Sequence, residues 1–360
     1  MISNEARERV QAVLAIARRI VDASDALGVE ARTELRRTSG LSDEGVELAL
    51  ATSLETSATD AELARLASWA GAATRCHVVL SANVCTAAVR ALALALAATS
   101  AVVLKPSRRD GGLAPLLVRE LQANGGLNIR ESASLSATPG DDVHAYGSDV
   151  TLRAIAEGLP EGVRLRGHGA GFGVAMVHRD AAREDADLEG AAEKLADDVV
   201  VFDQQGCVSP RIVFVEGAAA ARIFARALDQ ALTTRASSVP VGRAVREQRR
   251  EARVYAQTMS AVGLVFEKDD HVVTLDDDPQ AIVLPPAARA LAVLAVGSEA
   301  HAATLLGPLS PFVTAIGTMQ GSNAASGPLS IRCRGARSSR LGSMQRLPLD
   351  GPVDLRPARG

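Results

Sequence analysis

The segment HVVLSANVCTAAVRALALALAATSAVVLK, residues 77–105, decides the fold class. His77-Val-Val-Leu-Ser81 is a short apolar run rich in β-branched residues, and Ala101-Val-Val-Leu-Lys105 repeats that chemistry. Between them, Thr86 to Ala98 is almost continuously apolar at a length that suits a helix. Strand, helix and strand at this spacing make a βαβ unit, whose crossover favours a parallel sheet buried on both faces. The expected class is α/β.

Upstream, the chain reads as helices. Val10, Val13, Leu14, Ala17 and Ile20 recur at helical spacing, and Thr59 with Glu62 forms a capping box ahead of Leu63, Leu66 and Ala70. Downstream, a helix is expected from about Leu113 to Gln122, with strands near Ala133–Thr138, Val143–Tyr146 and Gly173–Val177. A helix from Leu188 to Phe202 runs into Asp203-Gln-Gln-Gly-Cys207, followed by the strand Pro210–Val215 and two helices spanning Ala218 to Ala261. Short strands are expected at Leu264–Glu267 and Ala281–Leu284. The glycines at 169–173 suggest a boundary between two α/β halves, 77–170 and 171–330. A helical segment, 1–76, precedes them, and an irregular tail rich in Arg, Ser, Gly and Pro, 331–360, follows.

Composition narrows the function. The 360 residues carry 47% hydrophobic and 22% charged side chains, enough for large cores. A net charge of -3 and an aromatic content of 2% offer nucleic acid neither a cationic surface nor stacking platforms. The six histidines and four cysteines are scattered without metal-ligand spacing, so no metal is expected. The apolar run from Ala91 to Val103 is too short to span a bilayer, and the charged N-terminus has no signal-peptide core. A cytoplasmic location with reduced thiols is the expectation.

Cys207 is the candidate nucleophile. It follows two glutamines and a glycine and precedes Val-Ser-Pro and a strand. Gly206 would leave room for a substrate to approach the backbone, and the Cys207 amide could help hold an oxyanion. Cys76 and Cys85 read as packing residues, while Cys333 lies between Arg332 and Arg334, a setting that lowers a thiol pKa. A buried structural thiol is the bland alternative for each.

Four short motifs, taken in order, resemble the aldehyde dehydrogenase superfamily. Val78-Val-Leu-Ser-Ala-Asn83 is similar to the strand and turn whose Asn donates to the oxyanion. Ala101-Val-Val-Leu-Lys105-Pro-Ser107 is similar to the Lys-Pro-Ser strand end that contacts the cofactor ribose. Tyr146-Gly147-Ser148 resembles the turn near the cofactor phosphates. Ala186-Asp-Leu-Glu-Gly, continuing through Cys207 to Arg211-Ile-Val-Phe-Val, resembles the nucleophile region. The resemblance implies a Rossmann-like cofactor domain over 77–170 and a catalytic thiol domain over 171–330. It also implies a homo-oligomer.

Within the superfamily, Asp203-Gln-Gln-x-Cys-x-Ser-Pro, Gly167-His168-Gly169 and Arg340-Leu-Gly-Ser-Met344-Gln-Arg-Leu-Pro-Leu-Asp350 resemble the acyl-CoA reductases of bacterial luminescence. That family implies reduction of a fatty acyl-CoA, or an acyl-carrier or acyl-protein thioester, to the aldehyde through an acyl-cysteine. An acyl-transferring partner enzyme is part of the implication. Oxidising relatives carry a water-activating Glu where this chain has His168, and no carboxylate lies between Arg164 and Val177. His168 could then act as an acid or base near neutral pH. Arg108 and Arg109 stand where NAD-preferring relatives carry Glu, which favours NADPH over NAD through a 2′-phosphate. Two other readings remain: an oxidative NAD(P)-dependent aldehyde dehydrogenase, and a non-catalytic scaffold subunit.

Overall fold

Cys76–Val79 is buried along its whole length because it lies between two parallel neighbours, Ala101–Lys105 and Asp142–Tyr146. The computed structural model that shows this describes residues 2–107, 112–123, 127–182, 184–319 and 327–356. The chain divides into two units: Met1–Gly40, Ala49–Ala170 and Leu347–Gly360 make the first, and Leu41–Leu48 and Gly171–Arg346 the second.

The first unit contains helices α1 (Asn4–Val21), α2 (Ala26–Thr38) and α4 (Asp60–Ala70); α3 (Asp43–Ser53) begins in the other unit. Its strands are β1 (Cys76–Val79), β2 (Ala101–Lys105), β3 (Asn128–Glu131), β4 (Asp142–Tyr146) and β5 (Arg164–His168). The order is β3-β2-β1-β4-β5, every pairing parallel, with crossovers through α5 (Ala87–Ala98), α6 (Ala114–Ala123) and α7 (Asp149–Gly158). The Thr59–Glu62 capping box opens α4 with both reciprocal bonds in place. Val10 and Leu14 of α1, Leu63 and Leu66 of α4, and Leu94 of α5 share one core, as their helical spacing requires.

Two strands of this sheet were not expected. β3 (Asn-Ile-Arg-Glu) and β5 (Arg-Leu-Arg-Gly-His) are edge strands, and edges tolerate the polar side chains that disguise them. In β5, Arg164 and Arg166 reach across to the buried carboxylate of Asp142 on β4, at 2.5 and 3.1 Å. Ala133–Thr138, expected as a strand, is irregular instead, and it ends where the Thr138 amide and hydroxyl both donate to Asp141.

The second unit is a sheet of seven strands in the order β12-β11-β6-β7-β10-β9-β8. These are β6 (Phe172–Val177), β7 (Pro210–Glu216), β8 (Leu264–Glu267), β9 (Val272–Asp276), β10 (Ala290–Val296), β11 (Val313–Thr318) and β12 (Arg337–Arg340). Among the described residues, only the pairing of β8 with β9 in this sheet is antiparallel. Helices α8 (Asp185–Val200), α9 (Ala218–Ser238), α10 (Arg243–Met259), α11 (Glu299–Leu305) and α12 (Pro328–Arg332) complete it. Ala281–Leu284 joins no ladder; the strand in this region is β10, an interior strand between β7 and β9 and an alanine-rich run that composition disguises as helix. The residues from 331 onward are ordered as far as they are described: they supply β12 and bury Leu341, Met344, Leu349 and Arg356. No helix among the described residues is long and apolar enough to cross a membrane.

Candidate active site

Helix α8 ends at Val200, shortly before Cys207, and the chain then turns the wrong way. Phe202, Asp203 and Gln204 have φ of 54°, 51° and 65°, the left-handed region that disfavours residues with a Cβ. Each costs roughly 1–2 kcal/mol, so the turn persists only if its side chains are held. They are. Asp203 Oδ1 accepts from Arg289 Nε and Nη2 at 2.9 and 2.5 Å, and its Oδ2 accepts from the Gly242 amide at 2.8 Å. Gln204 Nε2 donates to the carbonyls of Pro210 (2.7 Å) and Ala290 (2.9 Å), while its Oε1 accepts from the Ala290 amide. Gln205 Nε2 donates to Gln248 Oε1 and to the Ala287 carbonyl.

The loop that follows presents Cys207. The Ser209 amide donates to the Gly206 carbonyl at 3.0 Å, and Thr314, buried on β11, donates its hydroxyl to the Cys207 carbonyl. A Cβ on Gly206 would lie 3.1 Å from Ser209 Oγ, a tight contact that the serine hydroxyl would have to ease. Cys207 is half-buried, whereas Cys76, Cys85 and Cys333 are buried. Burial pushes the Cys76 thiol up to about 12 and the Cys333 thiol up to about 11. The lowered pKa expected for Cys333 is therefore not found; burial outweighs the cation of Arg332.

Behind the loop, the segment Leu341–Gln345 is clipped to α8. Asp198 accepts from the Gly342 amide at 2.6 Å and from the Met344 amide at 2.8 Å, and Gln345 Nε2 donates to the Asp198 carbonyl and to Ser209 Oγ. Burial raises the Asp198 carboxyl to about 7, more than those two N–H bonds pull it down. A carboxyl raised on folding stabilises most below its unfolded pKa near 4 and loses that contribution as pH rises towards 7. The unfolding midpoint measured from pH 5 to 8 should therefore fall in the native chain relative to Asp198→Asn. Parallel pH profiles for the two proteins would refute this.

The candidate cofactor residues all lie in the first unit, at the carboxyl ends of its parallel strands. The chain runs β1, β2, β3 to one side and returns as β4, β5 on the other, so β1 and β4 flank the switch point where such sheets bind ligands. Asn83 is exposed in the loop after β1. Lys105 ends β2 opposite Val79, and its carbonyl accepts from the Leu80 amide that starts the Asn83 loop. Ser107 follows in the same connection, while Arg108 and Arg109 lie outside the described residues. Ser148 caps α7 by accepting from the Thr151 amide at 3.2 Å, and the preceding Gly147 donates to the His168 carbonyl at 3.1 Å. The fold thus gathers Asn83 with Lys105, and Gly147 and Ser148 with His168.

His168 itself is not near neutrality. Its ring stacks on Tyr146 at 4.5 Å and lies 6.4 Å from His144. Burial, with the cations of Arg166 and Arg356, lowers it to about 4, and His144 is lowered to about 3. Both rings border a cavity of about 80 Å³ shared with Trp69, Asp354 and Arg356. At pH 7 His168 is a neutral imidazole, which corrects the expected titration.

The chain matches the acyl-CoA reductase (LuxC) family over residues 46–354. No curated protein sequence matches it. Among solved structures it resembles an NAD-dependent benzaldehyde dehydrogenase from Corynebacterium glutamicum, with 17% identity and a TM-score of 0.65 over 92% of this chain and 80% of that one. It also resembles lactaldehyde dehydrogenase from Escherichia coli, at 17% and 0.66 over 92% and 78%. Aldehyde dehydrogenase C from Pseudomonas syringae, crystallised as a mutant with NAD+ and octanal, aligns at 14% and 0.64 over 95% and 83%. The fold is that of the aldehyde dehydrogenase superfamily.

Proposed function

Because the chain belongs to the LuxC acyl-CoA reductase family, we propose that it reduces a fatty acyl thioester to the aldehyde through an acyl group carried on Cys207, with NADPH as reductant. The carrying observation is the half-buried thiol at the centre of a loop whose strained entry is held by buried partners. Its sulfur attacks the thioester carbonyl, the C–S bond to the donor breaks, and the donor leaves as a thiol. Asn83 and the Cys207 amide are the proposed oxyanion donors. When bound, the nicotinamide cofactor supplies the hydride that converts the acyl thioester to aldehyde and returns Cys207 as a thiolate.

The residues at the strand ends suit such a cofactor. Lys105 offers an ammonium at the end of β2, Ser107 a hydroxyl just beyond it, and Gly147-Ser148 open a helix N-terminus, where amides and the dipole favour anions. The preference for NADPH rests on Arg108 and Arg109 in the sequence. Against hydrolytic release, the two acids closest before Cys207 in the second unit are committed: Asp198 to two amides, Asp203 to Arg289 and Gly242. What supports reduction over oxidation is the sequence: no carboxylate lies between Arg164 and Val177, where oxidising relatives carry their water-activating Glu. With its pKa lowered to about 4, His168 is neutral near pH 7 and would serve as a hydrogen-bonding group or proton acceptor rather than as an imidazolium acid. A CoA thioester is the proposed donor, with acyl-carrier or acyl-protein thioesters, delivered by a partner enzyme, as the alternative; a homo-oligomer is the proposed assembly.

Intact-protein mass after mixing with acyl-CoAs of graded chain length, beside Cys207→Ala, tests this. The expected result is one acyl adduct, absent from the variant, discharged as aldehyde by NADPH faster than by NADH. An adduct that survives in Cys207→Ala, or none with any thioester, would overturn the reading.

A further inference from the structure

Among the described residues, four that are not glycine have positive φ: Phe202, Asp203, Gln204 and, at 52°, Arg289. Gln204 and Arg289 are far apart in the chain, yet three of the four are bonded into a single network. Arg289 pairs with Asp203, and Gln204 is bonded to both polar backbone atoms of Ala290, the next residue. Strain of this kind gathers where a structure needs a geometry that ordinary backbone will not supply. We propose that Arg289 is a positioning residue for Cys207, holding, through Asp203, the left-handed turn that presents the thiol. The inference rests on the reading of Cys207 as the acyl-accepting nucleophile.

If the chain needed only to change direction here, glycines would do so without strain. Instead Asp203 and Gln204 occupy the turn, and both side chains are used. Arg289 is almost fully enclosed, and each of its three nitrogens donates inside the unit: Nε and Nη2 to Asp203, and Nη1 to the Val239 carbonyl at 2.9 Å. It therefore acts on Cys207 through Asp203 rather than by touching a substrate.

The consequence for the loop is specific. Gln204 Nε2 bonds the Pro210 carbonyl, so one side chain spans the loop from 205 to 209 and fixes both of its ends to the start of β10. Cys207 is the central residue of that loop. β10 is itself a parallel neighbour of β7, the strand the loop feeds, and the Arg289 carbonyl accepts from the Val272 amide at the start of β9. Cys207 is thereby referred to the middle of the sheet. Loosening the Asp203–Arg289 pair leaves the thiol in place chemically but releases the entry side of its loop.

Two variants of the full chain, Arg289→Lys and Asp203→Asn, test this. Lysine keeps the charge but cannot bridge Asp203 and Val239 together; asparagine keeps the shape of Asp203 and an oxygen for the Gly242 amide. Mixing each with octanoyl-CoA gives the maximal rate of Cys207 acylation and the half-saturating concentration, read beside the unfolding midpoint. In the folded variants the maximal rate should fall by at least about ten-fold while the half-saturating concentration holds within about two-fold. Wild-type acylation rates in both variants, whatever their midpoints, would overturn the proposal, since a purely structural pair moves stability alone. If the native chain accepts no acyl group, the nucleophile reading fails by itself. The positioning claim is then judged on alkylation of Cys207 by iodoacetamide: a several-fold change supports it, and unchanged rates in both variants refute it.

Discussion

Cys207→Ser should reduce acyl transfer from acyl-CoA by roughly a thousand-fold or more, the scale at which removal of a nucleophile is felt in other covalent enzymes. A thiol has a small thiolate fraction at neutral pH and is intrinsically very nucleophilic, whereas a serine hydroxyl needs an adjacent base. The acids nearest before the loop in sequence, Asp198 and Asp203, are already bonded elsewhere, so serine inherits no activation from them. The substitution changes one atom in a loop whose backbone is fixed by Thr314, Gln204 and Ser209, so stability should change little. Single-turnover acylation followed by mass, with a melting curve on the same sample, checks both parts. A serine variant that acylates within about ten-fold of the native chain would remove Cys207 from the mechanism.

The parts of the fold legible in the sequence are those where one interaction dominates. Val78-Val79 and Val102-Val-Leu104 lie in interior parallel strands, buried on both faces, so hydrophobicity alone marks them. The edge strands β3 and β5 escape because each is held by one ladder, with Arg–Asp pairs added in β5, which no periodicity reports. β10 escapes for the opposite reason: Ala290-Leu-Ala-Val-Leu-Ala-Val is as good a helix as a strand until its neighbours decide. At the site, Cys207 and the turn before it stand out as a motif, but the left-handed backbone does not, since no glycine announces it. Arg289 was missed altogether. Its partner is 86 residues away, yet it is a lone cation in the run from Ala287 to Val296, and a lone cation in an apolar run demands a buried acceptor.

Arg90 carries the same mark, the single charge in the apolar helix α5, and it supplies the largest stability effect expected of the first unit. It is 3% exposed. Its Nε donates to Glu55 at 2.7 Å, Nη1 to the carbonyls of Pro348 and Gly351, and Nη2 to the carbonyl of Leu347, each at 2.9 Å. Those three carbonyls belong to a tail segment without helix or strand, whose polar backbone needs partners wherever it is buried. One guanidinium meets that need, which is how a sequence reading as irregular is nonetheless held. Arg90→Met should therefore cost about 3–5 kcal/mol, because it leaves Glu55 and three carbonyls without their donor. The unfolding midpoint should drop on the order of 10 °C. Amide exchange should quicken first across residues 347–356, before the α1–α4–α5 core opens. Since Asp354 and Arg356 border the cavity beside His144 and His168, release of the tail should admit water there. Both imidazoles should then titrate closer to 6.5 than the values of about 3 and about 4 set by burial, a change visible by NMR. Exchange in the tail that stays as slow as in the native chain would show that the segment is held by something other than Arg90.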